Sequence, residues 1–290
     1  MTTPDTWRDR ALFHFCRWGV RPALSVPLPW RVFRAVIHVC RPFLRGPQGV
    51  TVSQTRIADV PARIYTPPGA RGTLLWLHGG GFVLGSSDGI YAAFAAVMAR
   101  ETGLRVVMPD YRLAPEWPFP CAPDDCLAVA RRIAEDGPFV LAGDSAGGTL
   151  ALVTLADLLA EGLVPQRVIL ASPAVDLDPN RPVPDAPSEA VLPVAMLRRA
   201  VRDYLGASDC HDPRVSPLRG AYAGAPPVLI QCAAGEMLEG DADAMATHLR
   251  AAQVAVTVQK ESGVPHVWQL FAGRTPKADR AVAAIVDFLR

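Results

Sequence analysis

A serine flanked by glycines carries the clearest chemical signal in the sequence. Ser145 follows a short apolar run, 139–142, and precedes a small and then Leu/Val-rich segment of helical length, 149–160. This order predicts a strand, a sharp turn and a helix, with Ser145 at the tip of the turn. Gly143 and Gly147 are small because the strand and the helix nearly touch there. Such a strained turn lifts the hydroxyl toward a base and a substrate, so Ser145 is a candidate nucleophile.

A second unusual stretch is the glycine run 79–81, which follows the predicted strand 73–77 and His78. Three consecutive glycines cost backbone entropy on folding. A plausible reason to keep them is that their backbone N–H groups can point toward one spot with no side chains in the way. Together with the amide of Ala146, directly after the serine, the run predicts an oxyanion hole. The alternatives are a flexible loop or a phosphate cradle, but the lysine of a P-loop is absent. We expect His78 to shape the loop rather than to act as the base.

The general base is expected at the carboxyl end of the last predicted strand, 254–259. His266 lies in the loop after that strand and before the final predicted helix, 276–289. A loop histidine is often only a solvated polar residue, but this position downstream of the serine favours a base. The remaining histidines lie in the N-terminal segment, a polar loop or a helix: His14, His38, His211 and His248.

The acid that orients the base is expected after the predicted strand 228–233. Four carboxylates follow that strand: Glu236, Glu239, Asp241 and Asp243. Glu236 lies nearest to the strand end, where a loop carboxylate can reach the imidazole, and is the first choice, with Asp241 next. Asp241 and Asp243 are expected to start or occupy the following helix, where acids favour the helix dipole. The chain order Ser145, Glu236, His266 is that of α/β-hydrolases and differs from the chymotrypsin-like and subtilisin-like orders.

Size and composition exclude several classes of protein. The chain has 290 residues, a formal net charge of +1 and 50% hydrophobic residues, as expected of a globular enzyme and not of a nucleic-acid-binding protein. No apolar run approaches the roughly 18 residues that span a bilayer. The six cysteines are scattered without zinc-ligand spacing, which predicts reduced thiols in the cytoplasm.

From residue 50 onward, short apolar runs alternate with helical segments. This pattern predicts a mostly parallel sheet with helices on both faces. The predicted strands are 50–57, 62–66, 73–77, 105–108, 139–142, 167–172, 227–233 and 254–259, with Pro61 between the first two. The predicted helices are 90–100, 124–134, 149–160, 194–205, 241–252 and 276–289.

The first 49 residues differ from the rest, with eight arginines against only Asp5 and Asp9. In the segment 30–41, four apolar residues share one helical face: Trp30, Phe33, Ile37 and Cys40. We interpret 1–49 as a helical cap on a catalytic domain, 50–290, with a second cap element at about 180–206. The alternative is a basic amphipathic segment that lies on a membrane surface.

These motifs together resemble the hormone-sensitive-lipase-like esterases, the bacterial family IV carboxylesterases of the α/β-hydrolase fold. The resemblance rests on the segments 78–82, 110–116, 143–148, 172–177, 212–218 and 265–268. It implies an eight-stranded α/β-hydrolase fold and a Ser145–His266–acid triad. It also implies oxyanion donors at the amides of Gly80, Gly81 and Ala146. His78, Gly79, Gly143, Asp144 and Gly147 would then be structural motif residues, and no cofactor or metal is needed.

The acid departs from the pattern of many members, which carry aspartate followed by Pro-Leu. Here Glu236 is followed by Met237 and Leu238, as in a subgroup with glutamate at this place. The resemblance implies hydrolysis of short to medium acyl esters. Lactones, carbamates and acetylated terpenoids or sterols stay open, as do a lipase on a membrane surface, a catalytically silent ligand-binding protein and a homodimer.

Overall fold

A computed structural model describes residues 6–40, 49–182 and 184–290. Its centre is one eight-stranded sheet in the order β1-β2-β4-β3-β5-β6-β7-β8. The strands are β1 (Thr51–Ile57), β2 (Val60–Thr66), β3 (Thr73–Leu77), β4 (Arg105–Pro109), β5 (Phe139–Asp144), β6 (Arg167–Ala171), β7 (Val228–Ala233) and β8 (Val256–Glu261). Only β1 with β2 and β2 with β4 pair antiparallel. The predicted mostly parallel sheet is confirmed.

Helices cover both faces of the sheet. In the catalytic part they are α4 (Ile90–Thr102), α5 (Cys121–Glu135), α6 (Ala146–Ala160), α7 (Val194–Leu205), α8 (Glu239–Ala251) and α9 (Pro276–Leu289). Side chains of β3 alternate between two cores. Leu75 and Leu77 pack with α5 and α6, whereas Leu74 and Trp76 pack with α4 and α9. Burial on both faces explains why the central strands are continuously apolar.

Two strands, β2 and β8, start two residues away from their predicted first residue. Pro61 lies inside β2, opposite Arg56, and not between two strands. The chain turns earlier, at Ala58 and Asp59, which both have positive φ. Pro61 has no N–H to donate, but its carbonyl accepts the amide of Asp110 at 2.8 Å.

The last strand starts two residues later than predicted. The amide of Val254 closes the end of α8 by donating to the Leu249 carbonyl at 3.0 Å. Val254 is therefore part of the turn after the helix, and β8 begins only at Val256.

The N-terminal residues form helices that pack on α7 and α9. They are α1 (Trp7–Phe15), a π-helical stretch (Cys16–Val20), α2 (Arg21–Ser25) and α3 (Trp30–Cys40). Asp9 of α1 accepts the backbone amide of Lys277 at 3.1 Å, and the Trp30 indole donates to Asp203 of α7 at 2.5 Å. The prediction for residues 1–5 and 41–48 lies outside the described part of the chain.

The apolar face predicted for α3 is only partly buried. Trp30 and Phe33 are in the core, but Ile37 is 39% exposed and the neighbouring Val36 is 55% exposed. Residues 35–39 are exposed, so the last turns of this helix bury little of their surface among the described residues. In the described residues, 6–40, 49–182 and 184–290, no helix combines the length and the apolar character needed to span a bilayer.

Candidate active site

Ser145 occupies the tip of the turn between β5 and α6. Its φ of 53° and ψ of −120° are strained for a non-glycine residue. A Cβ on Gly147 would lie 2.0 Å from the Leu77 carbonyl oxygen, and one on Gly143 would lie 2.1 Å from the Gly147 carbonyl oxygen. Only glycine therefore allows β3, β5 and α6 to approach so closely beneath the serine. The Ser145 amide donates to the Ala171 carbonyl at 2.9 Å, which anchors the turn to β6.

The glycine run folds into a tight turn beside this serine. Gly80 has a φ of 116°, and a Cβ there would lie 2.3 Å from the Leu84 carbonyl oxygen. The Gly80 carbonyl accepts the Leu84 amide at 2.9 Å. Within the described residues, no hydrogen bond uses the amides of Gly80, Gly81 or Ala146. These N–H groups are therefore available to a ligand, and Ala146 heads α6, where the helix dipole favours negative charge.

Asp144 ties the glycine run to the serine turn. Its carboxylate accepts hydrogen bonds from the Trp76 indole at 2.8 Å, the Tyr91 hydroxyl at 2.6 Å and the Gly79 amide at 3.1 Å. Burial raises the pKa of Asp144 to about 6, although the hydrogen bonds from Tyr91 and Trp76 work against that rise. Asp144, directly before Ser145, thus fixes the start of the glycine run.

His78 holds the other side of the glycine run. Its ring stacks on Tyr111 with the centroids 4.3 Å apart, and Nδ1 lies 2.8 Å from the Gly79 carbonyl oxygen. Burial lowers the pKa of His78, because it disfavours the charged ring. None of its hydrogen bonds involves Ser145 or a carboxylate.

A buried carboxylate–imidazole pair lies at the ends of β7 and β8. Glu236 Oε2 is 2.6 Å from His266 Nδ1. The other oxygen of Glu236 accepts the Ser172 hydroxyl at 2.6 Å and the Ala233 amide at 2.9 Å. Both Glu236 and His266 are buried. With three donors in place, the carboxylate is held in one orientation, and Nδ1 carries the proton of the neutral ring.

The environment of His266 favours the protonated ring. Burial is the largest single influence and opposes the charge, but the charge and hydrogen bond of Glu236, together with the charges of Glu189 and Asp144, outweigh it. The pKa of His266 is therefore raised above its ordinary value of 6.5. Nε2 is buried and has no hydrogen-bond partner among the described residues, Ser145 included.

The other three carboxylates after β7 have different partners. Asp241 accepts the Val175 amide at 2.9 Å and pairs with Arg181 at 2.7 Å. Glu239 and Asp243 both pair with Lys260. Of the four sequence candidates, Glu236 is the one bonded to His266.

A narrow, mostly apolar cavity of about 80 Å³ opens beside Ser145. Gly81, Ser145 and Ala146 contribute to its wall, whereas His266 and Gly80 do not. Apolar side chains from α7 and from the loops at the sheet's carboxyl edge form most of the rest, among them Phe82, Leu177, Val194, Leu197, Val201 and Met237. Four charged residues also line it: Asp176, Asp178, Arg181 and Arg198. A small molecule bound here would lie next to the Ser145 hydroxyl and the unused amides of Gly81 and Ala146.

Two residues that contact this site were not identified as candidates from the sequence. Ser172, with a φ of 46°, donates to Glu236, and the buried Glu189 acts on His266 through space. Ser172 follows β6 directly, at the same edge as the other site residues, and this placement was the available signal. Glu189 lies in a proline-rich insertion, and nothing in its local sequence indicates burial.

One group in the described residues has side chains close enough to share a metal ion. Asp209, Cys210 and His211 have ligand atoms within 4.8 Å of one another, in the loop after α7. None of the three belongs to the wall of the cavity beside Ser145.

Known proteins match this architecture over nearly the whole chain. Residues 74–270 match a family model described as the alpha/beta hydrolase fold. A solved esterase of the bacterial hormone-sensitive lipase family superposes with a TM-score of 0.91 and 30% identity over 99% of each chain.

Curated relatives agree with that match. A putative acetyl-hydrolase, LipR, of Mycobacterium tuberculosis is 35% identical over 85% of this chain and 82% of its own length. An ethyl acetate hydrolase of Pseudomonas putida is 33% identical over 80% and 78%. The chain therefore belongs to the hormone-sensitive-lipase-like carboxylesterases of the α/β-hydrolase fold.

Proposed function

We propose that this carboxylesterase hydrolyses short to medium acyl esters through a Ser145–His266–Glu236 triad and an acyl-enzyme. The observation that carries the proposal is the 2.6 Å hydrogen bond between Glu236 and His266, which leaves Nε2 of the ring available to a nucleophile. The strained turn at Ser145 and the adjacent unused amides support it further. Catalytic hydrogen bonds to a nucleophile commonly tighten only when substrate binds.

In the proposed first half-reaction, His266 Nε2 takes the Ser145 hydroxyl proton as Oγ attacks the ester carbonyl carbon. The carbonyl oxygen gains negative charge and accepts hydrogen bonds from the amides of Gly80, Gly81 and Ala146. Glu236 stays ionised and stabilises the imidazolium. The ester C–O bond then breaks, and His266 returns its proton to the leaving alkoxide, which departs as the alcohol.

In the second half-reaction, water replaces the alcohol. His266 takes a proton from the water as its oxygen attacks the acyl-enzyme carbonyl. Collapse of this second tetrahedral intermediate breaks the bond to Ser145 Oγ, which regains its proton from His266, and the carboxylic acid leaves. The residues named supply every proton transfer.

The size of the cavity favours a short acyl group. Sites for drug-sized ligands typically enclose about 300–1,000 Å³, whereas this cavity has about 80 Å³. The relatives named acetyl-hydrolase and ethyl acetate hydrolase support the same choice. Acetylated terpenoids or sterols would require the alcohol part to lie outside the cavity, and lactones would have to enter it as a ring.

The proposal is tested with p-nitrophenyl esters of two, four and eight carbons, run beside Ser145→Ala. We expect kcat/KM to be highest for the acetate or the butyrate and about tenfold or more lower for the octanoate. Ser145→Ala should lose about 10⁴-fold or more in turnover while remaining folded. Ser53→Ala, at an exposed position of β1, is the matched control. Near-normal hydrolysis by Ser145→Ala would exclude the triad, and no hydrolysis by the wild-type protein would favour a silent binding protein.

We further propose that the enzyme acts at an anionic membrane surface, on which its N-terminal helices lie. We call the four residues Trp7, Ala11, Phe15 and Trp18 the aromatic stripe, because their spacing of four, four and three puts them on one helical face. Trp7, Phe15 and Trp18 are 69%, 63% and 72% exposed. Tryptophan at an exposed helix surface is typical of the membrane–water interface.

The charges around the aromatic stripe are basic. Arg8 and Arg10 are exposed beside it. The acid of α1, Asp9, is buried and bonded to Thr6 and Lys277, so its charge does not face solvent. Arginine beside exposed tryptophan favours anionic lipid over a neutral surface. The alternative occupant of the stripe is a second copy of this chain.

A further inference from the structure

A second buried carboxylate, Glu189, lies next to the proposed triad and has no role in the mechanism described above. Its side chain is 1% exposed. Oε1 accepts the amides of Val191 and Leu192 at 2.6 and 2.7 Å, and Oε2 accepts the amide of Met237 at 3.0 Å. All three donors are backbone N–H groups, and together they fix the position and orientation of the carboxylate.

Glu189 has no cationic side chain of Lys or Arg within ion-pair distance in the described part of the chain. A buried negative charge without a cation is costly, and proteins retain one mainly where it acts on another group. The group on which it acts is His266, whose protonated ring the Glu189 charge stabilises. His266 becomes positively charged only during the proposed catalytic cycle.

The segment that carries Glu189 also holds the acid loop on both sides of Glu236. Before Glu236, the Gly235 carbonyl accepts the Ser188 amide at 3.1 Å. After it, the Met237 amide donates to Glu189. The contact is tight, since a Cβ on Gly235 would lie 2.9 Å from the Ser188 side chain. The chain around residues 188–189 therefore fixes the backbone from which Glu236 reaches the imidazole.

We propose that Glu189 is a positioning residue of the triad, which clamps the Glu236 loop and supplies a second negative charge toward the His266 imidazolium. The inference deepens the proposed function and rests on it, because it assumes that His266 is the base. It also links the insertion that forms part of the cavity wall to the acid of the triad. Met237, whose amide Glu189 holds, lines that cavity.

The test compares Glu189→Gln with wild type in two measurements. Three carboxylates act on the His266 ring: Glu236 by hydrogen bond, and Glu189 and Asp144 through space. Removing the Glu189 charge leaves the imidazolium less stabilised, so the pKa of His266 should fall. The base must be neutral to act, so the acid limb of the kcat/KM profile should move to lower pH. At the pH optimum we expect kcat to fall about tenfold with little change in KM.

The second measurement reads the ring directly. Because Asp144 titrates at a pKa of about 6, it overlaps the acid limb. NMR titration of ring-labelled histidine separates the two, and the chain has only six histidines, so His266→Gln assigns the signal. A pKa of His266 that falls in Glu189→Gln supports the inference. An unchanged pKa and an unchanged profile would overturn it.

Matched variants separate the charge of Glu189 from its role as a clamp. Glu135→Gln, at a 70% exposed carboxylate of α5, should leave both measurements unchanged. Glu189→Asp keeps the charge on a shorter chain, so the acid limb should stay while kcat falls. If Glu189→Gln does not fold, a wild-type kcat in Glu189→Asp overturns the clamp. Activity that survives in Ser145→Ala would refute the proposed function. If Ser145→Ala is inactive but Glu189→Gln has the wild-type pH profile and the wild-type pKa of His266, only the positioning role of Glu189 is refuted.

Discussion

At the residue scale, the proposed site is built on two local motifs, the turn at Ser145 and the glycine run 79–81. Ser145 and the glycine run are visible because the strained turn and the close backbone approach demand glycine at neighbouring positions. Glu236 was selected among four carboxylates by its distance from the end of β7. The hydrogen bond to His266 agrees with that choice, although the catalytic role of the pair stays a proposal.

Contacts between residues far apart in the chain cannot be predicted from local motifs in this way. Glu189 and Met237 meet across 48 positions, and Ser172 and Glu236 across 64. Neither contact follows from periodicity or spacing, because each depends on how an insertion folds back on the sheet. The Glu189→Gln profile therefore tests a property that only the three-dimensional arrangement suggests.

At the element scale, the regular helices and strands of the catalytic part were largely predictable. The sequence limits of α7 and α9 agree with the structure to the residue. The starts of β2 and β8 are predicted wrongly, because Pro61 and Val254 have backbone hydrogen-bond partners that the apolar pattern of the sequence does not indicate. Residues 1–49 are expected to be helical, but the sequence does not indicate the bounds of the stretch from Trp7 to Ser25, because its apolar residues face solvent as well as the core.

Helix α7 should set the acyl-chain preference, because it supplies one wall of the small cavity. Leu197 lies on this wall, and Leu197→Ala removes three carbons from it. We expect the ratio of kcat/KM for octanoate to that for acetate to rise about tenfold, measured with p-nitrophenyl esters. Leu163→Ala, at a position 36% exposed and outside the cavity, is the control. An unchanged ratio in Leu197→Ala would place the acyl group elsewhere.

At the scale of the whole molecule, the exposed large apolar side chains are concentrated in the N-terminal helices. The aromatic stripe and the exposed valines of α3 lie on the N-terminal helices, which hydrogen bonds and side-chain contacts attach to α7 and α9. Arg34 of α3 also donates to the Val83 carbonyl at 2.8 Å, next to the glycine turn. A rearrangement of α3 would therefore reach the segment next to the amides that we propose as oxyanion donors.

Vesicle sedimentation tests the membrane proposal. Wild type should bind vesicles made of equal parts phosphatidylglycerol and phosphatidylcholine, and should bind pure phosphatidylcholine vesicles much more weakly. Binding to the anionic vesicles should weaken as the salt concentration rises. The triple variant Trp7→Ser, Phe15→Ser, Trp18→Ser should lose about tenfold or more in binding while keeping activity on p-nitrophenyl acetate.

Trp117→Ser is the matched control for that experiment, because Trp117 is 52% exposed in the catalytic part. It should bind vesicles as wild type does. Equal binding by wild type and the triple variant would refute the proposal. The stripe would instead be assigned to a second copy of this chain if three results are found together. Wild type does not bind vesicles, light scattering shows that it is a dimer, and the triple variant is a monomer.

The most direct measurement of the central claim is covalent trapping by diethyl p-nitrophenyl phosphate. If Ser145 is the nucleophile and His266 its base, one equivalent of p-nitrophenol is released. Peptide mass spectrometry then finds a diethylphosphoryl group on Ser145, and the loss of esterase activity follows the extent of labelling. His266→Gln should label at least about a hundredfold more slowly. A fully active protein without the adduct, or an inactivated one whose adduct lies on another residue, would contradict the account.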